Sequence, residues 1–213
     1  SRFLRPDPAI RQIGFQETDI VAMAAPVTKY AKMILKPEDV RYELEKALWL
    51  CQEGRPGPVL LDIPLDVQKT MIDAKKRIGF EPPAAVSFDL TVVDEQISRF
   101  ITELQHAERP VILVGGGVRL AAAQDDVRAL GRRLNVPCFP TWNALDVISS
   151  DYENYGGRVG TYGGAGRNFG IQNSDLLLSI GSRISGRITG GNVQSFARQA
   201  KKFLVEIDPA MVQ

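Results

Sequence analysis

The chain has 213 residues, 26 basic and 25 acidic side chains and a net charge of +1, enough length for two domains, or one large domain plus part of another. No basic run stands out, which argues against a nucleic-acid surface or an electrostatic membrane anchor; no apolar stretch approaches the roughly 20 residues of a membrane span, and the start, SRFLRPDPAI, is not a signal peptide. A cytoplasmic protein is expected, in which Cys51 and Cys138 are reduced core residues and the single histidine, His106, leaves no partner for a zinc site or a Ser/His/Asp triad, so catalysis has to lean on a cofactor.

Residues 1–13 lack a cap or a period and run at once into a dense motif, as though the chain were entered inside a domain. A short helix over Ile20, Val21, Met23 and Ala24 stops at Pro26, and residues 27–35, VTKYAKMIL, predict a strand. Pro37, Glu38 and Asp39 open a helix on which Val40, Leu44, Ala47, Leu48 and Cys51 recur at helical spacing until Gly54. The turn Arg55-Pro56-Gly57-Pro58 leads to a near-continuous apolar strand over residues 59–64, as in a parallel sheet. Residues 67–90 carry charge, two adjacent prolines and no lasting period, and read as an interdomain linker.

Beyond it, Val93, Ile97, Ile101 and Leu104 share one helical face. Then comes the stretch on which the second half turns, ERPVILVGGG: a buried strand over residues 111–114, three glycines, a helix over residues 119–134 and a strand over residues 136–139. The dinucleotide fingerprint is incomplete, since Leu120 stands at its third glycine and Pro140-Thr141 where an NAD site carries an acid, so a tight turn without ligand is an equal reading of these residues. Residues 140–170 are irregular and rich in glycine and aromatic rings, as in loops that line a site. DLLLSIG repeats the plan of buried strand and glycine, two arginines follow, and residues 203–207 predict a last strand ending near Glu206 and Asp208. Three strand ends carrying glycine or charge are what a ligand across the carboxyl edge of an open parallel sheet requires.

Three stretches, GFQETDIVAMAAPVTKY, GRPGPVLLDIPLDVQ and VGTYGGAGRNFGIQNSDLLLSIGSRISGRITGGN, closely resemble the large catalytic subunit of acetohydroxyacid synthase (acetolactate synthase) and its thiamine-diphosphate-dependent relatives. The resemblance implies the C-terminal half of a pyrimidine-binding domain over residues 1–69, a linker over residues 70–90 and a central domain over residues 91–213. That is an α/β chain whose Rossmann-like central unit is an open parallel sheet with helices on both faces. It implies an enzyme that decarboxylates a 2-keto acid such as pyruvate and joins the two-carbon unit to a second carbonyl, with the chemistry supplied by the cofactor. The family's catalytic glutamate would lie upstream and its Mg2+ and diphosphate motif downstream, so this segment alone should not turn over. A homodimer or tetramer, and a regulatory subunit, are the implied partners.

Residue by residue, Phe15 and Gln16 match positions facing the reacting cofactor, although a bare Gln16 also reads as a polar helix start. Arg55, Gly115, Gly116, Gly117, Thr141, Trp142, Gly160, Thr161, Tyr162, Gly163, Gly181, Arg183, Arg187, Glu206 and Ile207 fall on the family's FAD contacts. Glycine turns admit a diphosphate to backbone N–H groups and arginine offers it a planar fork, while Arg183 and Arg187 read alone as solvated surface charges. Three departures stand out. The family's Pro-Lys-Asp is Pro64-Leu65-Asp66, its Met-His-Gly is Thr161-Tyr162-Gly163, and its Phe-Asp-Asp-Arg is Ile184-Ser185-Gly186-Arg187. They leave open a carboligase acting on a keto-sugar and a 2-keto acid decarboxylase or oxidase; an NAD-dependent oxidoreductase and a non-catalytic nucleotide-binding module remain as readings from other classes.

Overall fold

A computed structural model describes residues 7, 9–15, 17–84 and 89–211. The chain divides into two compact units, Ser1–Val86 and Ser87–Gln213. Gln16 lies outside the described residues.

The first unit is built on one strand–helix–strand crossover. Helix α1 (Ile20–Ala24) starts where the Asp19 carboxylate accepts the Ala22 N–H, and Pro26 turns its end into a 3-10 turn over Ala25–Val27. Strand β1 (Tyr30–Met33) is shorter than the nine residues expected, because that turn takes Val27; the Lys29 N–H bonds to the Pro58 carbonyl at 2.8 Å and the Ile34 N–H to Asp62 at 2.9 Å. After helix α2 (Val40–Gln52), strand β2 (Val59–Asp62) lies parallel to β1 with Tyr30 opposite Val59, and helix α3 (Leu65–Lys69) follows. Ile34, Ala47 and Val67 are buried, and so is Glu43, whose carboxylate accepts from the Tyr30 hydroxyl and the Lys32 ammonium, each at 2.5 Å.

The segment read as linker is tied to α2 as far as Phe80. The Arg41 guanidinium donates to the carbonyls of Ala74 and Arg77, Glu45 accepts the Phe80 N–H at 2.7 Å, and the Phe80 ring meets Tyr42 and Trp49, both at 5.6 Å between centroids. Side chains of a helix hold this backbone, which is why it shows no period of its own.

The second unit opens with helix α4 (Leu90–His106), capped by Asp89. Its sheet is parallel throughout, in the order β4 (Cys138–Pro140), β3 (Pro110–Val114), β5 (Leu176–Ile180), β6 (Lys201–Val205). Alternation along β3 divides the core. Ile112 and Val114 join Leu178 in a cluster with Val127, Leu130, Phe100 and Leu104, whereas Val111, Leu113 and Leu177 join Ile171, Phe196 and Ala197 on the other face. Helices therefore cover both faces, as expected.

The helix expected over residues 119–134 is two, α5 (Gly117–Leu120) and α6 (Gln124–Leu134), because Ala122 between them is left-handed at φ 54°. β4 begins two residues later than expected, since the Val136 N–H turns back to the Gly131 carbonyl to close α6. Helices α7 (Ala165–Gln172) and α8 (Gly186–Thr189) flank β5. The irregular segment 140–170 supplies core as well as loop: Ala144, Val147 and Ile148 are fully buried.

Candidate functional site at the carboxyl edge

The four strands of the second unit end level. Val114 stands opposite both Pro140 and Ile180, and Ile180 opposite Val205. The ladder runs one residue past each end: the N–H groups of Thr141, Gly115 and Gly181 donate to the carbonyls of Val114, Ile180 and Val205 at 2.8, 2.9 and 2.9 Å. From β3 the chain goes first to β4 on one side and then to β5 on the other, so the loops after β3 and β5 diverge at a topological switch point, where open α/β sheets take their ligands.

Three of the expected glycines close the floor of that switch point. A Cβ on Gly115 would lie 2.1 Å from the Gly181 carbonyl oxygen and one on Gly117 2.8 Å from the Gly181 Cα, while Gly181 itself sits at φ 61°. Two backbones touch here, joined by the Gly117 N–H donating to the Gly181 carbonyl at 3.0 Å, and no larger residue allows that approach. Gly116 packs against Asn143.

Residues 159–163 line the edge above this floor. Gly160, at φ 101°, is gripped by the Asn168 side chain, Thr161 donates its N–H to the Arg187 carbonyl at 2.9 Å, and Gly163 bonds back to Gly160 at 2.8 Å. The Tyr162 ring meets Trp142, the residue after Thr141, at 5.6 Å. Gly160, Thr161, Asn168, Arg187, Thr189 and Phe196 line a cleft of about 230 Å³. Ordinary cofactor sites run to about 300–1,000 Å³, so this cleft is smaller than a whole cofactor needs.

Arg183 and Arg187 are exposed, and among the described residues neither guanidinium has a carboxylate partner. Ile184 between them is left-handed at φ 47°, a strained conformation for a β-branched residue of the sort that collects at ligand clamps. Past β6, the Glu206 carboxylate accepts the N–H groups of Ile207 and Asp208, and Ile207 is exposed. Thus all the expected residues of the second unit gather at one edge. Phe15, 89% exposed, and Arg55, whose carbonyl accepts from Lys29, belong to the first unit. Asn168 carried no sequence signal, being one polar residue inside a short helix.

Perturbed groups lie elsewhere. Burial pushes the Cys138 thiol up to about 11, against a hydrogen bond with Tyr152, which keeps it inert. At the amino end of the sheet, burial of Asp175 is outweighed by the N–H groups of Glu108 and Arg109 at 2.8 and 2.9 Å, so its carboxyl lies below the usual range. Among the described residues no three His, Cys, Asp or Glu side chains are grouped to hold a metal ion, and no helix is long and apolar enough to cross a membrane.

A level parallel edge and a switch point closed by glycines, with helices on both faces of the sheet, define an open parallel α/β domain. The sequence model of the thiamine pyrophosphate enzyme central domain matches residues 97–213, and the chain belongs to that family. It is 38% identical, over 93% of its length, to the acetolactate synthase large subunit of Corynebacterium glutamicum, covering 32% of that protein. The probable acetolactate synthase large subunit of Methanococcus aeolicus is 35% identical over 97% of this chain and 35% of the relative; the acetolactate synthase isozyme 2 large subunit of Escherichia coli K12 is 31% identical over 95% and 36%. The chain spans about a third of the length of these relatives.

Proposed function

We propose that the complete protein is a thiamine-diphosphate-dependent acetolactate synthase: it decarboxylates a 2-keto acid, pyruvate in the first instance, and joins the two-carbon unit to a second keto acid. Similarity to acetolactate synthase large subunits along nearly the whole chain carries this reading. The same relatives do not favour the keto-sugar, decarboxylase, oxidase, NAD or non-catalytic alternatives. Thiamine diphosphate with Mg2+ supplies the decarboxylation and the carbon–carbon bond formation, and we assign its ligands to parts of the protein outside this chain. Phe15 and Gln16 are proposed to face it from the first unit. The relatives' large-subunit names support a regulatory small subunit for this protein too, and a cytoplasmic homodimer or tetramer is the assembly we propose.

The residues at the carboxyl edge fit FAD. Arg183 and Arg187 are cations without a carboxylate partner among the described residues, suited to a diphosphate, and Glu206 follows the neighbouring strand with a carboxylate suited to sugar hydroxyls. Thr141, Trp142 and residues 160–163 wall one side, and the glycines 115–117 and Gly181 close the floor. Stripping flavin from the full-length protein and titrating FAD back, alongside an assay of acetolactate formed from pyruvate with and without thiamine diphosphate, tests both halves. Saturable FAD binding and thiamine-dependent acetolactate are expected. Thiamine-independent turnover, or pyruvate released only as acetaldehyde, would overturn the enzyme reading, and absence of flavin binding would overturn the FAD site.

A further inference from the structure

Residues 74–80 lie along helix α2, and none of them is buried. The Arg41 guanidinium donates to the carbonyls of Ala74 and Arg77 at 3.3 and 3.0 Å. Glu45 accepts from Arg41 at 2.8 Å and from the Phe80 N–H at 2.7 Å, and the Phe80 ring rests against Tyr42 and Trp49. Gly79 runs so close to this ion pair that a Cβ there would stand 2.6 Å from the Glu45 carboxylate and 3.2 Å from the Arg41 guanidinium. These contacts all go to one helix. Inside the segment, a 3-10 turn over Ala74–Lys76 is capped by Asp73 and closes on itself.

The buried side chains of the first unit, Ile34, Glu43, Ala47 and Val67 among them, come from the end of β1, from α2 and from α3, so lifting residues 74–80 takes no buried side chain with it. What would be broken is one aromatic contact and a few hydrogen bonds to Arg41 and Glu45, each 38% exposed. Segments held this thinly open locally, well below the free energy of global unfolding, and charge-based contacts at a surface weaken as salt screens them. The segment also has the sequence of a connector, and it leads on through Pro82 and Pro83 to the second unit.

We propose that residues 74–80 are a strap that releases from α2 as one piece while the core of the first unit stays folded, storing length for the connection between the two units. Docked, the connection starts after Phe80; released, it gains a stretch that spans at most about 25 Å when extended. The separation of the units can then change without unfolding either.

The experiment exposes the folded full-length protein to trypsin and times cleavage after Lys75, Lys76 and Arg77 by mass spectrometry, with the free peptide of residues 70–84 as the fully open reference. Arg41 grips the carbonyl that trypsin attacks at Arg77, so cleavage there reports release. Arg41→Ala and Phe80→Ala should quicken it about 10-fold or more, Gly79→Ala should act in the same direction, and added salt should quicken the parent. Amide exchange in β1 and β2 should keep the parent's rate in all three variants. Deleting Pro82 and Pro83 shortens the connection by about 7 Å and should draw the strap open further. Cleavage that the three substitutions leave unchanged, or that keeps pace with exchange in β1 and β2, overturns the strap. Cleavage that ignores the deletion overturns the length store.

Discussion

Asn168 holds Gly160 from both sides of its α-carbon: the Gly160 N–H donates to Asn168 Oδ1 at 2.9 Å, and Asn168 Nδ2 donates to the Gly160 carbonyl at 3.0 Å. A glycine at φ 101° has no side chain to steady it, and a carboxamide reaching from α7 supplies the missing constraint. Asn168→Ala leaves the N–H and carbonyl of Gly160, in a part-buried setting, to find other partners, a loss of about 1 kcal/mol. Hydrogen–deuterium exchange over residues 158–163 should quicken in that variant, and a rate equal to the parent's would remove Asn168 as the clamp.

Ser179 lies in β5 with 1% of its surface exposed, and its hydroxyl has no partner among the described residues. A buried hydroxyl without a hydrogen bond costs free energy that alanine does not. Ser179→Ala should therefore raise the denaturation midpoint, by about 1 kcal/mol of stability. A lowered midpoint would mean that the hydroxyl is satisfied after all.

Glu43 gives the first unit an acid-sensitive joint. Burial works to raise its pKa, but the hydrogen bonds from Lys32 and Tyr30 and the charges of Lys32 and Lys46 outweigh it and hold the carboxyl below its ordinary value. A carboxyl depressed by folding stabilises the fold above its unfolded pKa, about 4.3, and that stabilisation drains away as pH falls through the lower folded value. Stability of the parent should therefore decline more steeply below about pH 4.3 than that of Glu43→Gln. Lys32→Met, which strands a buried carboxylate, should cost about 1–3 kcal/mol at neutral pH, and adding Glu43→Leu should recover most of it. Parallel acid profiles for parent and Glu43→Gln would refute the joint.

Two glycine substitutions should part company. Gly115→Ala puts a methyl 2.1 Å from the Gly181 carbonyl oxygen and is expected to destabilise by about 3 kcal/mol or more. Gly186→Ala meets nothing within 4 Å and, at the first position of α8, should be neutral or stabilise by about 0.4–1 kcal/mol. Thermal unfolding of the two variants decides it, and similar midpoints would sink the assigned floor contact.

The buried strands were legible because a strand covered on both faces reads as an unbroken apolar run, as VILV and LLLSI do. Their glycine ends marked the edge on which the candidate residues gather. What the glycines do was less legible: Gly115, Gly117 and Gly181 are demanded by loop-to-loop contact, and sequence shows only that some close approach occurs. Residues 70–80 were opaque, because Arg41 and Glu45, some 30 positions away, hold their backbone. Val147 and Ile148 were hidden likewise, as irregular backbone has no period to betray burial. On α4 the period was clear but the burial it promised is partial: Val93, Ile97 and Ile101 are 42–49% exposed, and Phe100 and Leu104 make the core contact.

The three amides that extend the ladder at Thr141, Gly115 and Gly181 give the loops a common baseline. A residue inserted within any one strand would shift its loop by about 3.3 Å and invert its side chains, spoiling the shared edge. Insertions and replacements beyond the baseline leave it intact. Variation in such a domain is thereby steered into the loops, and two of this chain's three departures from the family pattern, Thr161-Tyr162 and the run from Ile184 to Gly186, fall there. The sheet edge works as a fixed mount on which recognition surfaces can be exchanged between lineages without renegotiating the fold.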